Sequence, residues 1–210
     1  MARLWKRRWV RWVVVIAAIL TTPVLLLAAT TRMYRVAASS MMPTLVKGNR
    51  VFVNLMSYDL KVPFTARRIL RWSAPRVGDI VLFSVPNGRD EYIAFKRVVA
   101  VPGDIIEMRD NKLLINGQAA VYESLDNDVF TKLPPDDFQG RRFEKETIGN
   151  QSRLITLAAA SPEPKSFGPV SVPPDHYFVL GDYRDNSNDS RLFGPLNHDR
   201  IEGRMFLNLF

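Results

Sequence analysis

The sequence predicts a mainly β domain preceded by one N-terminal membrane-spanning helix. Three observations point there. Residues 12–30 form an uncharged apolar run, the chain after Arg35 is a succession of short β-rich segments, and none of the 210 residues carry a long amphipathic helical pattern.

The apolar run, WVVVIAAILTTPVLLLAAT, is close to the roughly 20 helical residues that cross a hydrocarbon core of about 30 Å. Arg3, Lys6, Arg7, Arg8 and Arg11 precede it, which predicts a cytoplasmic N-terminus and export of the chain after Arg32. Trp5, Trp9 and Trp12 suit the interfacial belt. A cleaved leader shares the charged start, the apolar run and small residues such as Ala28 and Ala29. However, the run is longer than a leader's usual apolar core of about 7–15 residues, so a retained single-pass anchor is expected. Both readings export the rest of the chain.

The charge obeys the same division. The net charge is +8, but residues 1–35 hold seven basic and no acidic side chains, so 36–210 are close to neutral. A duplex-binding surface needs concentrated Lys and Arg, and no nucleic-acid partner is expected. The chain has no cysteine, which excludes disulfides, thiolate nucleophiles and thiolate zinc sites. Its two histidines, His176 and His198, stand in no catalytic or metal motif, so neither a Ser-His-Asp site nor a metal is expected, and no cofactor.

Within the exported part, Ile80–Phe83, Ile93–Val99, Ile105–Met108, Leu113–Ile115 and Tyr177–Leu180 read as strands. Asp110-Asn111-Lys112 and Asn116-Gly117 supply turns of a β-meander. Residues 58–76 interleave Lys61, Arg67, Arg68, Arg71 and Arg76 with Phe64, Ile69, Leu70 and Trp72, which suits either an anionic bilayer surface or a solvated loop. Residues 118–172 give few signals and read as an insertion into the β core.

Three separated strings carry chemistry. In Ser40-Met41-Met42-Pro43-Thr44-Leu45, a serine precedes a turn in which Pro43 confines Met42 to extended backbone; a serine hydroxyl attacks only when a base takes its proton. In Phe95-Lys96-Arg97-Val98-Val99, strand alternation sends Lys96 to the face opposite Phe95 and Arg97. A buried lysine loses its proton more easily and can act as a base; an edge lysine would keep its head in water. In Gly181 to Arg191, Asp189 and Arg191 can pair, and Ser187 can hydrogen-bond a neutral amine. A calcium loop fits this last string poorly, because its acidic spacing departs from the EF-hand and two arginines intervene.

Together, and in this order, these strings resemble the type I signal peptidase family of Ser-Lys dyad serine endopeptidases. Gly78-Asp79-Ile80-Val81-Leu82-Phe83 and Val101-Pro102-Gly103-Asp104 resemble two more of its boxes, and Val53-Asn54 with Tyr58 and Pro63-Phe64 resembles a segment between them. The resemblance covers 36–104 and 175–205. It implies an antiparallel β-sheet or barrel catalytic domain at 36–210, with 1–35 as basic segment and anchor and 118–172 as a variable insertion. It implies a bacterial inner-membrane enzyme, catalytic domain on the periplasmic side, that removes signal peptides from preproteins after small-x-small sites. Its expected partners are preprotein signal peptides and the phospholipid bilayer. Ser40 would be the nucleophile, Lys96 the general base and Ser187 the residue that orients Lys96. Tyr34, Val36, Met41, Leu45 and Phe95 would line the substrate pockets, while Arg97, Asp182, Arg184, Asp189 and Arg191 would hold the loops.

Four positions depart from the family pattern. Ala38 stands where a serine often donates a second oxyanion hydrogen bond, and Ser39 stands where glycine is usual. Tyr183 replaces an asparagine, and Phe95 replaces a smaller apolar residue, which predicts a narrower pocket that prefers alanine. The rival functions are a specialised Ser-Lys processing peptidase and a catalytically silent exported β domain that binds signal sequences or membrane.

Overall fold

Alternating apolar residues and glycine- or asparagine-bearing turns build most of the described chain after Thr30 from strands. In the computed structural model, residues 9, 12–22, 30–61, 68–87, 90–125, 140–158 and 166–209 are described. The strands are β1 (Thr31–Arg35), β2 (Arg50–Asn54), β3 (Asp59–Lys61), β4 (Arg68–Arg71), β5 (Ile80–Asn87), β6 (Asp90–Ala100), β7 (Ile105–Arg109) and β8 (Lys112–Ile115). They continue with β9 (Gln118–Ala119), β10 (Val121–Leu125), β11 (Arg141–Ile148), β12 (Gln151–Ala158), β13 (Phe167–Ser171), β14 (His176–Leu180), β15 (Leu196–Asn197) and β16 (Ile201–Leu209).

Seven strands form the main sheet, in the order β1-β2-β16-β5-β6-β14-β15. Every strand run expected from the sequence is present, and β6 extends beyond its expected bounds. The two turns also form as their residues require. Asp110 and Asn111 have φ of 49° and 62°, and Asn116 and Gly117 have 51° and 77°, the left-handed backbone of tight hairpins. They set the β7–β8 and β8–β9 connections of a four-stranded sheet ordered β13-β7-β8-β9.

Alternation in β14 fixes the core. Tyr177 and Val179 pack with Tyr58, Val81, Phe83, Val98 and Ile201, while Phe178 and Leu180 pack with Val99, Ile106, Met108 and Leu113. The strand is therefore buried on both faces, as its unbroken apolar run requires. Each such buried side chain stabilises the domain by roughly 1.5–3 kcal/mol. A third cluster joins Val36, Met41, Leu45, Val51 and Ile80, with Tyr34 and Phe95 at its margin. It packs the Ser40 turn against the main sheet.

The described residues of 118–172 have more order than the sequence suggested, while 126–139 and 159–165 lie outside the described residues. The strands β10, β11 and β12 form an antiparallel sheet, and β13 pairs with β7 to close the four-stranded sheet. The segment 58–76 forms the two-stranded sheet β3–β4 rather than a bare loop. Three of its cations are paired, Lys61 with Glu202, Arg68 with Asp59 and Asp199, and Arg71 with Asp175. Ile69, Leu70 and Trp72 stand exposed; Pro63, Phe64 and Arg67 lie outside the described residues.

The N-terminal unit, Met1–Arg32, is a separate body. Residues 12–22 are helical with exposed apolar side chains. Residues 1–8, 10–11 and 23–29, with most of the basic cluster and Pro23, lie outside the described residues. Among those described, no helix is long and apolar enough to cross a membrane.

Candidate active site

Ser40 sits in the turn that leaves β1, shaped by Met42 N–H donating to Ser39 O and Leu45 N–H donating to Met41 O, both at 2.9 Å. Buried Met41 and Leu45 anchor the turn. Lys96 lies in β6, its neighbours Ala94 and Val98 facing one core cluster and Phe95 another, as alternation requires. The two meet: Lys96 Nζ lies 2.6 Å from Ser40 Oγ.

Lys96 is 3% exposed. Burial, which disfavours the ammonium, lowers its pKa from 10.5 to about 8, against the pull of Asp189 and Asp182 and with a smaller push from Arg191. Both carboxylates are already engaged. Asp182 takes Arg97 Nε at 2.8 Å and Arg97 Nη2 at 2.6 Å, and Thr44 donates its hydroxyl to the same group at 2.5 Å. Asp189 takes Arg191 Nε and Nη2, both at 2.8 Å, with both side chains fully buried. Each carboxylate is hydrogen-bonded to its own arginine, so its pull on Lys96 is smaller than the cost of burial. Desolvation prevails, and about a tenth of the amine is unprotonated at pH 7, far more than at the ordinary lysine value.

The loop after β14 holds this arrangement. Asp189 also accepts from Gly181 N–H at 2.9 Å, and Tyr183 N–H donates to Ser40 O at 3.1 Å. Gly181 is obligatory, because a Cβ there would lie 2.2 Å from Ser187 Oγ and 2.5 Å from Ser40 O. Asp185 accepts from Ala158 N–H at 2.6 Å. Asp182, Asp185 and Asp189 are thus turned to protein donors, and among the described residues no cluster of three or more acidic or imidazole groups could hold a metal.

The expected pocket residues converge. Tyr34, Val36, Met41, Leu45 and Phe95 line one cavity of about 320 Å³ with Ser40 and Lys96 at its wall. Tyr34 and Phe95 meet edge to face, ring centroids 6.2 Å apart, at the wall of this cavity. Tyr92, Ile93 and Asn188 line it too; their only sequence signal is that they lie close to motif residues. Ser39 faces elsewhere, accepting from Asn186 Nδ2 at 3.3 Å, which leaves Ser40 as the serine beside the amine.

Two expectations fared differently. Ser187 is buried beside Gly181, but its Oγ makes no hydrogen bond among the described residues, so the contact with Lys96 is not formed. Arg184 is fully buried, yet its partner is one the sequence did not suggest: Glu146 of β11, at 2.7 and 2.5 Å, which also binds Arg153 of β12. No local pattern in 141–153 marks Glu146, since the buried positions Phe143 and Glu146 stand three apart rather than in strand alternation.

The model of the signal peptidase, peptidase S26 family matches residues 6–210. The chain belongs to this family. Among its relatives, signal peptidase I of Pseudomonas fluorescens is 30% identical over 185 residues, covering 82% of this chain and 62% of the relative. Signal peptidase IB of Staphylococcus aureus is 28% identical over 200 residues, 95% of this chain and 88% of that one. The chain thus spans about six-tenths of the Pseudomonas relative's length and most of the staphylococcal one. A crystal structure of a signal peptidase I from Enterococcus faecalis V583, 28% identical, covers 64% of this chain and 98% of its own, with a TM-score of 0.36.

Proposed function

We propose that this chain is a membrane-anchored serine endopeptidase that removes signal peptides from exported preproteins, cutting after small-x-small sequences. The observation that carries this reading is the 2.6 Å approach of a buried, pKa-lowered Lys96 amine to Ser40 Oγ at the wall of an apolar cavity.

In this mechanism neutral Lys96 takes the proton as Ser40 Oγ attacks the scissile carbonyl, and the resulting ammonium then protonates the leaving amine. Water attacks the acyl-enzyme with Lys96 again as base. The Ser40 N–H serves the oxyanion; losing one such donor costs about 2.7–4 kcal/mol of transition-state stabilisation in other hydrolases, and Ala38 has no hydroxyl to add a second. Asp182 with Arg97, and Asp189 with Arg191, act as supports that hold both halves of the dyad in register. Tyr34, Val36, Met41, Leu45 and Phe95 select small side chains before the cut.

The uncharged run 12–30 supports a retained anchor in the bacterial inner membrane, with a cytoplasmic N-terminus and the 36–210 domain on the periplasmic side. Exposed Ile69, Leu70 and Trp72 support contact of the β3–β4 hairpin with the bilayer. The test is N-terminal sequencing of the product made from a preprotein. Wild type should give one mature N-terminus just after a small-x-small site, and Ser40→Ala and Lys96→Ala should give none. Cleavage surviving in either folded variant would refute the assignment.

A further inference from the structure

Asp189 and Arg191 form one buried pair beside the dyad, and buried Asp185 accepts from Ala158 N–H and Asn111 Nδ2, but a third group of buried charges does not divide into pairs. Three arginines, Arg97, Arg153 and Arg184, share two carboxylates, Asp182 and Glu146. All five are buried or nearly so, and their fields overlap: Asp182 acts on Arg153 and Arg184, and Glu146 acts on Arg97. The division between the two acids is nonetheless clean. Glu146 takes Arg184 by both oxygens and Arg153 as well, and Tyr122 donates its hydroxyl to Oε1 at 2.6 Å. Asp182 is left to Arg97 and Thr44, and Thr44 belongs to the turn that carries Ser40.

The backbone couples the two halves. Thr156 N–H of β12 donates to Asp182 O at 2.9 Å, and Arg184 N–H returns a bond to Thr156 O at 3.0 Å. Between them Tyr183 N–H reaches Ser40 O. The β11–β12 hairpin, read from sequence as part of an insertion into the β core, is thus the template on which the nucleophile's supporting loop is laid.

We propose that Glu146 is a positioning residue for the peptidase reaction: it occupies Arg184 and Arg153, so that Asp182 stays committed to Arg97 and Thr44 and the Ser40 turn is held against Lys96. This role rests on the peptidase reading. A buried cation deprived of its partner moves toward the nearest anion, and for Arg184 and Arg153 that anion is Asp182. Drawing Asp182 away loosens Thr44 and shifts Ser40, whereas the cavity walls lie on other side chains. The neutralised cluster also carries one more positive charge around Asp182, which with Asp189 and Arg191 faces Lys96.

The experiment measures cleavage of a peptide with an alanine-x-alanine site by the full chain in detergent micelles, across pH. Glu146→Gln should lower kcat by about 10- to 100-fold, the range that a misplacement of about 1 Å brings. KM should stay within about threefold, and the acid limb of the profile should move to lower pH. Glu146→Asp, which keeps the charge, should leave that limb in place. Adding Arg153→Gln to Glu146→Gln restores the cluster's net charge and should raise kcat at least threefold over the single variant. A purely structural Glu146 would make that double variant worse, and such a result overturns the proposal, as does a folded Glu146→Gln with wild-type kcat and profile. If Glu146→Gln does not fold, the double variant decides: cleavage within tenfold of wild type supports the role, and its failure to fold or cleave overturns it. A wild type that does not cleave, or that cleaves equally as Ser40→Ala, defeats the peptidase reading itself.

Discussion

Replacing Lys96 by methionine should make the protein more stable at neutral pH while abolishing catalysis. The folded state lowers the Lys96 pKa from 10.5 to about 8. Between those values the unfolded chain binds the proton and the folded chain does not, so wild-type stability rises with pH across that window. Below about 8 the full penalty is present, and at about 1.36 kcal/mol per unit it comes to about 3 kcal/mol. Methionine removes the charge at similar volume but also forfeits the contact with Ser40, worth about 1 kcal/mol. The net gain is about 2 kcal/mol, or roughly 4–8 °C in Tm for a chain of this size. Thermal melts of the full chain in micelles at pH 7 and pH 10.5 measure it. The gain should be present at pH 7 and largely gone at pH 10.5. No gain at pH 7, or one unchanged at pH 10.5, would refute the claim that burial governs this amine.

Three other substitutions probe separate parts of the site. Asp189→Asn removes the charge that most strongly raises the Lys96 pKa, so the acid limb of the pH–rate profile should move to lower pH. Gly181→Ala drives a Cβ into Ser40 O and Ser187 Oγ; it should cost about 1–3 kcal/mol in a denaturant melt and lower kcat at least tenfold. Phe95→Ala opens the cavity where Phe95 meets Tyr34 and should relax selection against larger residues before the cut by about 10-fold or more in kcat/KM. Competition between alanine and valine substrates measures that change.

The parts of the fold legible in the sequence are those set by local rules. The tight turns at Asp110-Asn111 and Asn116-Gly117 require residues that tolerate positive φ, and both formed where those residues stand. Likewise Tyr177–Leu180 is apolar at every position because both its faces are covered. The dyad was legible only as a resemblance, because nothing local to Ser40 or Lys96 says that residues 56 apart will meet. Glu146 was illegible for a related reason. In β11 it follows Glu144 and Lys145 in one charged run, and Arg184 from the 181–191 loop, Arg153 and Tyr122 together enclose it. The contact expected of Ser187 failed because Lys96 Nζ is directed at Ser40, which leaves the Ser187 hydroxyl packed against Gly181 instead.

The most direct test of the mechanism is the titration of the Lys96 amine itself, measured by NMR in the full chain with isotope-labelled lysine and assigned by its loss in Lys96→Arg. A base at Lys96 requires a midpoint near 8, well separated from the exposed lysines. A midpoint at the ordinary lysine value of 10.5 would mean that the amine is a plain ammonium at neutral pH and cannot take the serine proton.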